Sequence, residues 1–252
     1  MKTFIKNNKV LYTIGIILFV IIWYIIAEII GQKQLIFPGP IETFKDLFIL
    51  LTKKYTYLSI LSSLIKMIIG YMISIVLAMI FGIIAGLNKY IEKILKPTII
   101  ALKAIPTASL LFLFIVLAGF EYAPVFVVIL ISFPILYDSI VGGLTNIPKS
   151  LNEATLIDGG NSFKNIVKIK LPLASNYILV GIASSFGLAF KVEIMAEVLT
   201  GKTSYGIGNA IHTIQSSESS MVSIFSWTII AITILLIITF ISNIIKKKLL
   251  KQ

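Results

Sequence analysis

The chain has 252 residues, 58% of them hydrophobic and only 13% charged, with a net charge of +11 and a mean hydropathy of +1.00; so much apolar surface exceeds what a soluble core can hide, and the bilayer must be its solvent. All 22 cationic residues are lysine, so the bidentate fork suited to phosphate is missing and nucleic acid is a poor partner for the charge. The absence of cysteine excludes disulfides, thiolate catalysis and Cys-ligated metals, and the lone His212, read as an ordinary loop residue, has no second histidine with which to share a metal; neither metal nor cofactor is expected.

Behind a basic start (Lys2, Lys6, Lys9), Val10 to Ile30 is apolar enough and long enough to cross the roughly 30 Å of hydrocarbon, and with no small-residue cleavage site after it reads as an uncleaved helix. The turn Phe37-Pro38-Gly39-Pro40 follows. Ile41, Phe44, Leu47, Phe48 and Leu51 then recur at helical spacing beside Glu42, Lys45 and Asp46, which predicts a short helix lying in the membrane interface or packed on the first span.

Further spans are predicted over Ile60 to Leu87, Ile99 to Gly119, Pro124 to Leu144, Asn176 to Thr200 and Met221 to Ile245, six crossings in all. Both termini then lie on one side. If that side is the cytoplasm, fifteen lysines lie inside and five outside, with Lys66 and Lys191 within spans, an asymmetry that fixes the orientation. In the second span Gly70, Ala78, Gly82 and Gly86 recur at intervals of four residues or multiples of it, predicting one face that a neighbouring helix approaches closely.

Between the fourth and fifth spans lies a polar interruption, Asn152 to Pro172. Leu151 to Ile157 predicts a short helix with Asn152 as N-cap and Glu153 in its first turn, where negative charge suits the helix dipole. Gly159-Gly160 end it, and Ser162 caps a second amphipathic segment carrying Lys164, Lys168 and Lys170. Leu171-Pro172 is expected to stop or kink the chain before the next span. Small residues at Ala154 and Thr155 suit a helix seated in a groove of another protein, and the lysines suit acidic residues there or anionic lipid headgroups.

Glu153, Ala154, Thr155, Gly159, Ile169, Leu171 and Pro172 resemble the cytoplasmic loop E-A-A-x3-G-x9-I-x-L-P of ATP-binding-cassette (ABC) importer permeases, with Thr155 in place of the second alanine. Ala104-Ile105-Pro106-Thr107 and the apolar stretch after it, and the run from Gly187 to Ile211 with Phe190 where tryptophan is usual, are similar to permeases of the nitrate/sulfonate/taurine type. The resemblance implies an all-α integral membrane protein of the type I importer (MetI-like) fold, one permease domain over 1–252 with a family-like core at about 60–245 and a coupling loop at 146–175. It also implies a second permease copy, a cytoplasmic ABC ATPase dimer, an extracytoplasmic solute-binding protein and a location in the cell membrane. No G-x-x-x-x-G-K-[ST] loop occurs, so energy has to come from that partner.

Ionisable residues inside spans are costly and therefore informative. Glu193 and Glu197 share one helical face, whereas Lys191 and Glu193 point about 200° apart and cannot pair on a straight helix. Lys66 and Asp138 are candidate counter-charges, and Lys191, Glu193, Glu197 and Asp138 are candidates for the translocation path or its gate, together with Gly206-x-Gly208. A self-sufficient secondary transporter relaying protons through Glu193, Glu197 and Asp138 is the competing reading; it would require corresponding halves, and none is visible.

Overall fold

A computed structural model describes residues 8–30, 37–148, 150, 151, 153, 155, 160, 162–218 and 220–249. Helix α1 is Asn8–Ile30, α2 Pro40–Thr52, α3 Lys54–Leu87, α4 Lys89–Ala104 and α5 Thr107–Thr145. A helical turn (Phe163–Asn165) and a π-helical segment (Ile166–Lys170) run without a break into α6, Leu171–Thr200; α7 is Ile207–Thr213 and α8 Met221–Leu249. No strand occurs among the described residues.

Local chemistry sets most of these boundaries. Pro40 opens α2, where its fixed φ is already helical and its missing N–H is no loss. The Asn88 side chain accepts the N–H groups of Tyr90 and Ile91 and so starts α4. Ile105-Pro106 interrupts the helix between α4 and α5, within the predicted third span.

Five stretches are long and apolar enough to cross a membrane: Val10–Ile30, Lys54–Leu87, Thr107–Thr145, Phe163–Thr200 and Met221–Lys248. The third contains two crossings. At Gly119 the backbone turns to φ 76°, a left-handed conformation that glycine tolerates without steric cost, and the chain doubles back. Phe114 of the first leg stacks on Phe126 of the second with ring centroids 5.3 Å apart, and further from the bend Lys103 pairs with Asp138, as an antiparallel hairpin requires. The second leg runs parallel to α3. Gly70 lies against Val125 and Val128, Gly82 against Ile140, and Gly86 against Leu144, so the predicted small-residue face is the seam between them. Helix α6 returns antiparallel, Gly143 meeting Ala174 and Gly181 meeting Ser139, and α8 descends beside it with Thr239 near Gly187. Six crossings result, and Gly86, Leu144 and Lys246 to Lys248 share the lysine-rich end of the bundle.

The core lies between α3, the second leg of α5, and α6, where Met67, Val127, Val128 and Ala189 are fully buried. Helix α1 is peripheral, with most side chains exposed. It is tied to the rest near Trp23, whose indole N–H donates to the Pro38 carbonyl at 3.1 Å and whose ring contacts Phe44 and Phe225. Helix α2 packs on α8, where the Ser226 hydroxyl donates to the Thr43 carbonyl, and it leaves Ile41 and Phe48 exposed while Phe44 touches Trp23 of α1.

Two expectations are corrected at the loop. Ser150 and Leu151 are already helical, so the short helix begins before the predicted cap Asn152, which lies outside the described residues together with Ala154 and Gly159. Pro172 does not stop the chain. It stands in the first turn of α6, and the preceding π-helical segment, with the Leu171 N–H reaching back to the Ile166 carbonyl, absorbs the change without a break. Ser162 caps its segment as expected, accepting from the Asn165 N–H.

Candidate functional site

At the end opposite the lysine-rich one, five elements converge on a buried cluster of charges. Lys66 of α3 lies 3.1 Å from Glu121, two residues beyond the Gly119 bend, and 3.4 Å from Glu197 near the end of α6. The ammonium also donates to the Tyr205 carbonyl at 3.1 Å. Glu197 is fully buried, and its other oxygen accepts from the Ser63 hydroxyl at 2.6 Å and the Gly208 N–H at 3.1 Å. Ser63 in turn accepts from the Ile207 N–H, while Glu121 accepts from the Ser204 N–H at 2.9 Å. One lysine, two carboxylates and one serine therefore pin the 201–208 segment across the end of the bundle. Buried charges require such partners.

Glycines make the fit. A Cβ at Gly206 would stand 2.3 Å from a Glu197 carboxylate oxygen, and one at Gly208 would stand 2.4 Å from the Ile194 carbonyl. Gly201 ends α6 at φ 60°, and His212, helical within α7 instead of in a loop, engages the Val198 carbonyl at 2.9 Å through Nδ1. Gly208→Ala is expected to destabilise the protein by about 1–3 kcal/mol, because backbone is what the new methyl meets. Limited proteolysis in membranes would show cleavage within 201–208 rising in Gly208→Ala and unchanged in Gly15→Ala, where a Cβ meets nothing within 4 Å.

At the lysine-rich end lies the elbow. Residues 150, 151, 153 and 155 are helical, and Gly160, at φ 63°, turns the chain away with its N–H on the Thr155 carbonyl at 3.0 Å. Leu151 and Glu153 are exposed, whereas Thr155 is 5% exposed and engaged within the chain. On this turn Leu151 lies on the side of Thr155 and Glu153 about 200° from either, so the side left open to a partner is that of Glu153. Phe163, Lys164, Val167 and Lys168 are exposed as well, with Ile169 and Leu171 half-buried and Pro172 exposed.

A family profile described as binding-protein-dependent transport system inner membrane component matches residues 78–251. The chain belongs to that family. It is the permease subunit of an ABC importer rather than a secondary transporter, a multi-pass membrane protein whose family works with a separate ATPase and a solute-binding protein. Among its relatives, the nitrate import permease protein NrtB of Synechococcus elongatus is 28% identical over 225 residues, covering 82% of this chain and 78% of that one. The putative aliphatic sulfonates transport permease protein SsuC of Bacillus subtilis is 28% identical over 189 residues, covering 73% and 67%. The bicarbonate transport system permease protein CmpB of Synechococcus elongatus is 28% identical over 200 residues, covering 73% and 70%. The fold is similar to that in an inward-facing structure of the MetNI methionine ABC transporter, with a TM-score of 0.66 and 14% identity over 75% of this chain and 93% of that one.

The permease brings only some of the sequence-selected residues together. Lys66 is the counter-charge of Glu197, but Asp138 pairs with Lys103 and stays half exposed. Glu193 is fully buried one turn below Glu197 with neither carboxylate oxygen hydrogen-bonded, and Lys191 points the other way, exposed between α6 and α8. Glu121 escaped the sequence reading. Its signal was a lone acid two residues after a glycine inside an otherwise apolar run.

Proposed function

We propose that two copies of this chain form the translocation unit of an importer in the cell membrane, with both termini cytoplasmic, and that its cargo is a small oxyanion. The lysine-rich end faces the cytoplasm, where the exposed Glu153 side of the elbow presents the docking face for an ATPase dimer. The Lys66–Glu121–Glu197 cluster closes the opposite end, toward the solute-binding protein. The observation that carries the docking assignment is that the described residues 150, 151, 153 and 155 are helical with Glu153 exposed, and that left-handed Gly160 turns the chain, at the end of the bundle where most lysines gather. The oxyanion reading draws on relatives named for nitrate, aliphatic sulfonates and bicarbonate, all anionic at neutral pH.

The test is reconstitution. Two differently tagged copies of the chain should purify together with the ATPase, and proteoliposomes carrying the complex and its binding protein should take up nitrate, bicarbonate or methanesulfonate only when ATP is supplied. Uptake without nucleotide, or tagged copies that never pair, would sink the proposal.

A further inference from the structure

The face of α6 opposite the buried cluster is unusual for a membrane helix. Between α6 and α8 runs an open groove of about 430 Å³ lined by Ser184, Gly187 and Lys191 on one side and Thr239, Asn243 and Lys246 on the other. Lys191 lies about two turns in from the end of α6, in the membrane-spanning part, and among the described residues it has neither ion pair nor hydrogen bond. Asn243 and Lys246 are likewise without a bonded partner there. The Ser184 and Thr239 hydroxyls donate to their own helices, at the Gly181 and Leu235 carbonyls, which leaves the two ammonium groups and the amide as the free donors. Among the described residues no acidic one lines the groove.

A free ammonium and an unbonded amide on one strip cannot rest against acyl chains without heavy cost, so the strip belongs to water or to a ligand. Charge of one sign within low-dielectric walls concentrates the opposite ion. Gly187 keeps the floor clear, since its missing side chain leaves the space beside Thr239 open. We infer that the groove between α6 and α8 is a hydrated anion-binding lane on the translocation face, with Lys191 as the residue that selects for negative charge and Asn243 and Lys246 as its continuation toward the lysine-rich end. The inference rests on the proposed oxyanion cargo and names the residues that recognise it. It also separates the acids from the cargo: Glu193 and Glu197 are turned into the protomer, where an anion would not meet them.

The chain's lack of cysteine makes a direct test simple. Ser184→Cys places a thiol in the groove and Ile237→Cys places one on an exposed part of α8 outside it. In membrane vesicles carrying the full chain with its ATPase, anionic sulfonatoethyl and cationic trimethylammonioethyl methanethiosulfonates are compared for rate of modification. At Ser184→Cys the anionic reagent should react about tenfold faster than the cationic one, Lys191→Met in the same background should remove most of that preference, Lys191→Arg should retain it, and Ile237→Cys should stay inert to both. These rates need no transported solute. An anion preference that Lys191→Met abolishes carries the inference even if none of the three anions is the cargo. Equal rates for the two reagents, or a Ser184→Cys as inert as Ile237→Cys, would overturn it even if the complex imports all three.

Discussion

Lys66→Met is expected to unfold the permease more readily than any other single change outside its apolar core. The substitution leaves Glu197 fully buried beside Glu121 with no cation between them, and stranding a buried charge costs about 3–5 kcal/mol. Glu121 contributes less to that figure, because its side chain is 38% exposed and water screens it. Glu197→Gln should cost less than Lys66→Met, since the amide oxygen still accepts from Ser63 and Gly208 and Lys66 keeps Glu121, although the amide NH2 then faces the ammonium. The double variant Lys66→Met with Glu197→Gln should therefore be more stable than Lys66→Met alone. Thermal unfolding of the purified complex, followed by size-exclusion chromatography, measures all three. Simple additivity of the two substitutions would show that Lys66 and Glu197 do not act as a pair.

The parts legible in the sequence were those encoded by spacing along one helix. The Gly70, Gly82 and Gly86 face announced its seam because four-residue intervals return to the same side of a helix, and Ser162 announced its cap because a hydroxyl before an amphipathic run has an N–H to satisfy. Events between helices were hidden. The break at Gly119 was legible, since the predicted third span ends there and the fourth begins at Pro124, but Glu121 gains its meaning only when that bend brings it to Lys66. Thr155 looked like a docking residue because it sits in the motif, yet a helix has two faces and the fold gave this one to its own chain. Pro172 failed as a stop for a different reason. A π-helical segment can shift the hydrogen-bond register just ahead of a proline, and no local composition rule reports that.

Glu153→Lys is expected to cost the ATPase complex while sparing the permease. Glu153 is exposed on a helical turn, so reversing its charge breaks nothing inside the chain, but at a docked interface it would set a cation where an anion was matched. Co-purification of the ATPase should fall about tenfold or more, with thermal unfolding of the isolated permease unchanged. Thr155→Val makes the opposite prediction. Its side chain is buried within its own chain, so the variant should lose no more than about 1 kcal/mol of stability and still bring down the ATPase. Gly160→Ala separates aim from contact: a Cβ there meets nothing within 4 Å, yet the left-handed backbone strains any side chain by about 1–2 kcal/mol. Coupling efficiency should therefore drop in Gly160→Ala through a turn that no longer holds its direction, with binding only slightly weakened. Should Thr155→Val release the ATPase while Glu153→Lys retains it, the docking surface would be the face now turned inward, and the elbow would have to rotate before the two proteins meet.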